Sequence, residues 1–147
     1  MSMALSAANF GDHRVLGDCA GAESSQKPLV EIKGICIDDL FIEHANRLDP
    51  AAIDLLWVDV QGYEGFVFQG AKGLVGKGIP VVSEIWPYGL RKAEMSVDTF
   101  CGIAAGFWPR FWETGSAPFK EHSIDELPAF MDRFQGEEAF DNVVFVP

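Results

Sequence analysis

Apolar and polar positions are patterned most clearly in the middle of the chain. Residues 53–60 run Ile-Asp-Leu-Leu-Trp-Val-Asp-Val, a dense apolar stretch that predicts a strand buried on both faces. Gly62 ends it. Tyr63, Phe66, Val67, Gly70, Ala71 and Leu74 then recur at helical spacing, so a helix leaves the strand directly. Gly76 and Gly78 stop that helix. Residues 79–86 (Ile-Pro-Val-Val-Ser-Glu-Ile-Trp) form a second buried strand, with Pro80 at its entry. Strand, helix, strand in this succession predicts a parallel α/β sheet with a right-handed crossover.

The flanks are patterned more weakly. Residues 3–6 and 13–16 read as short strands around a turn at residues 9–12, and the Gly-, Ala- and Ser-rich residues 17–28 as a loop. Residues 29–37 alternate with β-branched side chains and predict a strand, interrupted at Gly34. Asp38 and Asp39 stand where a helix begins, with Leu40, Phe41, His44 and Leu48 as its inner face. Downstream, helices are expected at residues 96–105 and 124–134, and strands at 107–113 and 142–146. The acidic stretch 121–138 reads as a solvated helix face. Neither an internal repeat nor an interdomain linker is visible, so residues 1–147 are read as a single domain.

Composition narrows the function classes. The chain has 147 residues, 48% hydrophobic and 22% charged, which is globular rather than disordered. Its 22 acids against 11 bases give a net charge of −11, a field that repels nucleic acid and anionic membrane surfaces. No run of about 18 apolar residues predicts a transmembrane helix. The first sixteen residues lack the charged head and apolar middle of a secretion signal. Cys19, Cys36 and Cys101, like His13, His44 and His122, are too scattered for a disulfide scaffold or a structural zinc site. A reduced, cytoplasmic protein is the simplest expectation, with positively charged or neutral small molecules left open as ligands.

Several constellations fail on context. Gly73-x-x-Gly76-x-Gly78 precedes a strand rather than opening a helix, so it reads as a turn, not a phosphate loop. A Walker A match fails at Ala71 and Gly78, and no Gly-x-Ser-x-Gly nucleophile elbow exists. Trp57, Trp86, Trp108 and Trp112 read as core or pocket walls. In open parallel sheets ligands bind beyond the carboxyl ends of the strands. Two carboxylates stand there, Asp59 and Glu84. Asp59 can serve chemistry or merely cap the turn that follows it. Glu64 suits the first turn of the helix through the helix dipole. A metal site at Asp59 and Glu84 lacks an identifiable third ligand.

Residues 56–64 (Leu-Trp-Val-Asp-Val-Gln-Gly-Tyr-Glu), 69–71 (Gln-Gly-Ala) and 80–88 (Pro-Val-Val-Ser-Glu-Ile-Trp-Pro-Tyr) resemble the C-terminal half of FkbM-family methyltransferases. Gln61 stands where that family more often has Glu. Residues 35–40 resemble the lead-in to this motif. Residues 3–6 with Gly11 and Asp12 resemble the family's third strand and the loop beside the adenine. The resemblance implies a Rossmann-like class I methyltransferase sheet, S-adenosylmethionine as cofactor, and O-methylation of a sugar or small natural product. It implies Asp59 and Glu84 as catalytic residues, Leu5, Ser6 and Asp59 as cofactor contacts, and Gln61, Tyr63, Glu64, Trp86 and Tyr88 around the acceptor.

The family's glycine-rich turn after the first strand, and the acid ending its second, have no counterpart in this sequence. The sheet is therefore expected to be incomplete, without its first two strands, and the domain only a partial methyltransferase-like one. In the family's strand order, 3-2-1-4-5-7-6, the strands beginning at residues 53, 79, 107 and 142 would be contiguous and end at an exposed apolar edge. Such an edge invites a second copy or a complementing chain. A non-catalytic remnant acting as a partner subunit is the alternative expectation.

Overall fold

The computed structural model describes residues 1–6, 13–16, 28–115 and 117–147; the turn expected at 9–12 and most of the loop expected at 17–28 lie outside them. The described residues form a mixed α/β structure with two sheets. The larger has five strands, β4 (Leu56–Val58), β5 (Val81–Ile85), β6 (Arg110–Glu113), β7 (Lys120–Ser123) and β8 (Asp141–Val146), in the order β4-β5-β8-β6-β7. The smaller contains β1 (Ser2–Ala4), β2 (Arg14–Leu16) and β3 (Leu29–Glu31), in the order β2-β1-β3.

β4 and β5 pair in parallel, with helical residues connecting them, as the strand–helix–strand reading expects. The remaining pairs are antiparallel: β8 lies between β5 and β6 and runs against both. The four strands expected at residues 53, 79, 107 and 142 are neighbours. β7 extends the sheet beyond them; its residues Lys-Glu-His-Ser carry no apolar alternation, so sequence pattern missed it. His122 holds it in place, with one ring nitrogen 3.0 Å from a Glu126 oxygen and the other 3.2 Å from Glu113, and the ring stacked on Phe111.

The core lies on one side of the large sheet. Val81 and Ile85 of β5, Phe111 of β6, and Val143 and Phe145 of β8 face α2 (Glu64–Gly70), α5 (Val97–Ala105) and α6 (Leu127–Met131). Phe68 meets Trp108 edge-on at 5.1 Å, and Trp108 stacks on Phe145 at 5.0 Å. The indole N–H of Trp108 is satisfied by the Ile79 carbonyl. Side chains alternate across a strand, so Val82 faces the other way. There it stands in register with Trp57 and Val144, and Val144 with Trp112. This row ends in tryptophans that are 66% and 37% exposed.

Several expectations are corrected. The stretch 53–60 is not a strand buried on both faces: β4 is three residues long, lies at the sheet edge and bares Trp57, because only its Leu56 and Val58 side turns to the core. Trp57 and Trp112 are accordingly surface residues, whereas Trp86 and Trp108 are buried. The single helix expected after Gly62 breaks at Ala71 into α2 and α3 (Lys72–Val75). The strand expected over 29–37 stops at Glu31. α1 (Ile37–Glu43) then packs Ile37 and Phe41 on the core, while His44 and Leu48 lie beyond its end and are exposed. The expected helix at 124–134 is a 3-10 turn followed by α6, with Ser123 and Glu126 forming a capping box. α4 (Pro87–Lys92), opened by Pro87 in its first turn, was not anticipated.

The segment at 3–6 is also placed differently. β1 pairs antiparallel with β2 and β3, so it belongs to a separate sheet and is not a third strand of the large one.

Candidate functional site

The parallel strands β4 and β5 deliver their carboxyl ends side by side, and three acids gather there. After β4 the chain reverses through Gln61 and Gly62, both at positive φ (56° and 96°). Gly62 is required twice over: a Cβ there would lie 2.3 Å from the backbone of Gly89 in α4, and its φ is one that side chains resist. The turn and α4 therefore pack backbone to backbone.

Glu64 holds this turn. Its Oε1 accepts from the amides of Val60 at 3.1 Å and Gly62 at 3.0 Å, and the residue is fully buried. Burial pushes its carboxyl above the ordinary range, partly opposed by those backbone donors. Glu64 thus faces inward under the turn. The capping role considered for Asp59 falls to Glu64, and Asp59 is exposed and accepts from the Gln61 side-chain amide at 2.9 Å.

Glu84 is the most perturbed acid. It is the penultimate residue of the buried strand β5, 8% exposed, and its Oε2 is buried with no hydrogen-bond partner among the described residues. Burial raises its pKa to about 7, with the negative charges of Asp59 and Glu64 adding to the effect and the positive charge of Arg14 opposing it. A carboxyl at that value exchanges protons readily near neutrality, as a general acid or base requires.

Aromatic side chains flank the acids. Trp86 is buried, donates its indole N–H to the Glu137 carbonyl at 2.7 Å, and lies 5.6 Å from the half-buried Tyr88. Tyr63 stacks on Phe66 at 4.3 Å. It also lines a mainly apolar cleft of about 430 Å³ between the small sheet and α2, whose walls include Val15, Ile32, Ile37 and Val67. Leu5 and Ser6 follow β1; their amides are taken by the Pro28 carbonyl and the His13 ring. Asp59, Glu64 and Glu84 are thus brought together, with Gln61 bonded to Asp59, whereas Leu5 and Ser6 belong to the small sheet.

Two features escaped sequence reasoning. Arg14 lies over Trp86 although it stands 72 positions earlier in the chain, and the apolar cleft joins segments far apart in sequence. Nothing local marks either. Among the described residues no cluster of three or more His, Cys, Asp or Glu side chains could hold a metal ion, and no helix is long and apolar enough to cross a membrane.

No curated protein and no solved structure matches the chain. The family model of the methyltransferase FkbM domain matches residues 5–138, most of the length, including β4, the acid turn and β5. The chain belongs to the FkbM methyltransferase domain family.

Proposed function

We propose that this chain, a partial Rossmann-like methyltransferase domain, serves methyl transfer from S-adenosylmethionine to a hydroxyl oxygen of a sugar or small natural product. The observation that carries the reading is Glu84, a buried carboxylate with an unpartnered oxygen and a pKa near 7 at the carboxyl end of β5. The donor fits the chemistry of these residues: a sulfonium is a cation, and Asp59 and Glu84 are acids at one sheet end. Bound there, S-adenosylmethionine supplies an electrophilic methyl carbon. Asp59 would stand beside its positive charge, with Leu5 and Ser6 toward the adenine. Glu84 would take the proton of the acceptor hydroxyl, and Gln61, Tyr63, Trp86 and Tyr88 would orient the acceptor. Glu64 contributes by holding the turn. Positioning supplies most of the acceleration in such a displacement. A cytoplasmic setting suits this cofactor.

Calorimetry with S-adenosylmethionine on the whole chain tests the reading. Binding that is weakened in Asp59→Asn is expected; no heat at millimolar ligand would exclude catalysis by this chain alone. The exposed Trp57 on edge strand β4 favours a second reading, a non-catalytic remnant that pairs through that edge with a second copy or a complementing chain. Light scattering distinguishes the two: a strict monomer that binds the cofactor supports the enzyme, and a stable assembly without cofactor binding supports the remnant.

A further inference from the structure

Arg14 stands where three parts of the chain meet. It belongs to β2 of the small sheet, yet its guanidinium carbon lies 4.7 Å from the centroid of the Trp86 ring. The same guanidinium reaches a Glu137 carboxylate oxygen at 3.9 Å. Trp86 in turn donates its indole N–H to the Glu137 main-chain carbonyl. Arg14, Trp86 and Glu137 therefore close a triangle over the outgoing end of β5. The Glu137 pair is long and its acid is 60% exposed, so alone it would hold Arg14 weakly. The indole face adds the second hold. A planar guanidinium suits this position, because it can stack flat on a ring and still present donors at its edge.

Glu84 precedes Trp86 by two residues on the same strand. Among the described residues, the charged groups that act on it are Asp59 beyond β4, Glu64 at the start of α2, and Arg14 from the small sheet. Two are negative and come from the large sheet's own crossover. The positive one is delivered from a different sheet, by a side chain only 19% exposed, where its field is less screened than at an open surface.

We propose that Arg14 is a positioning residue: clasped by Trp86 and Glu137, it holds a positive charge from the small sheet at the outgoing end of β5, where it favours the ionised form of Glu84. Arg14 thereby favours the carboxylate, the form that accepts a proton. The assignment rests on the reading of Glu84 as proton acceptor, but its test needs no reaction.

The test is a carbon-13 NMR titration of the whole chain labelled at the glutamate side-chain carboxyls, with the Glu84 signal identified by its loss in Glu84→Gln. The wild-type midpoint is expected at about 7. Arg14→Gln and Arg14→Met, the latter keeping apolar bulk over Trp86, should each raise it by roughly 0.5–1 unit. Arg14→Lys, which keeps the charge, should restore most of the shift. Either neutral variant suffices if it retains the native amide spectrum. A folded neutral variant with an unmoved midpoint overturns the proposal, because a purely structural Arg14 would alter stability and leave Glu84 where it was. Absence of S-adenosylmethionine binding alongside a moved midpoint would defeat the methyl-transfer reading and leave the action of Arg14 on Glu84 standing.

Discussion

The two faces of the five-stranded sheet are built from the same strands and serve different ends. On one, Val81, Ile85, Phe111, Val143 and Phe145 are covered by α2, α5 and α6, and the aromatic rings of Phe68 and Trp108 close the layer. On the other, the row Trp57, Val82, Val144 and Trp112 ends in exposed tryptophans. Glu84 shares that second side with Val82 and is buried only where Arg14, Trp86 and the acid turn gather. The first face holds the domain together through apolar burial. The second has its buried charge at one end, an arrangement that costs stability and persists where function uses it.

The largest effect should come from breaking the covered face. Phe68→Ala removes a fully buried ring that touches Phe100, Trp108 and Phe145. It should destabilise the domain by about 3–5 kcal/mol in chemical denaturation. Gly62→Ala strikes the junction between the turn and α4; with positive φ and a backbone contact in its way, it should cost about 1–3 kcal/mol and displace Glu64. Loss of S-adenosylmethionine binding in that variant, exceeding what its lost stability explains, would tie the turn to the site.

Glu84→Gln should act in the opposite direction. A carboxyl whose folded pKa is raised to about 7 binds its proton more tightly in the folded state, so stability falls as pH rises from about 4.5 to about 7. The neutral amide should flatten that decline and stabilise the domain at pH 8 by on the order of 1 kcal/mol, the scale of an unpartnered buried polar group, while reducing any methyl transfer. Thermal melts at pH 5 and pH 8 on both proteins measure the difference. A steeper decline in the variant would contradict the assignment. The smallest effect belongs to the bare row: Trp57→Lys should change stability by less than about 0.5 kcal/mol. If light scattering finds an assembly of the wild type, the same substitution should dissolve it.

Much of this was legible in the sequence because the relevant forces are local or periodic. The strand at 79–86 was legible as an apolar run and the helix at 96–105 was expected from the sequence; the structure adds that the Ser96 hydroxyl accepts from the Thr99 amide and caps that helix. The positions of Asp59 and Glu84 followed from strand ends beside a glycine turn. β7 was missed because its pairing depends on His122 between two glutamates, not on alternation. The burial of 53–60 was overestimated because an apolar run states what a strand can bury, not what lies beside it. Glu64 looked like an exposed dipole partner, and only the fold-back of the turn placed its carboxylate inside.

The sequence by itself determined the family, the strand–helix–strand unit and the gathering of acids, since periodicity, turn glycines and motif spacing are properties of neighbours along the chain. Tertiary structure alone decided which face of the sheet is covered, that β1 stands in a separate antiparallel sheet, and that Arg14 reaches Glu84's end of β5. Burial and charge proximity arise between segments distant in sequence, and these set the proton affinity of Glu84.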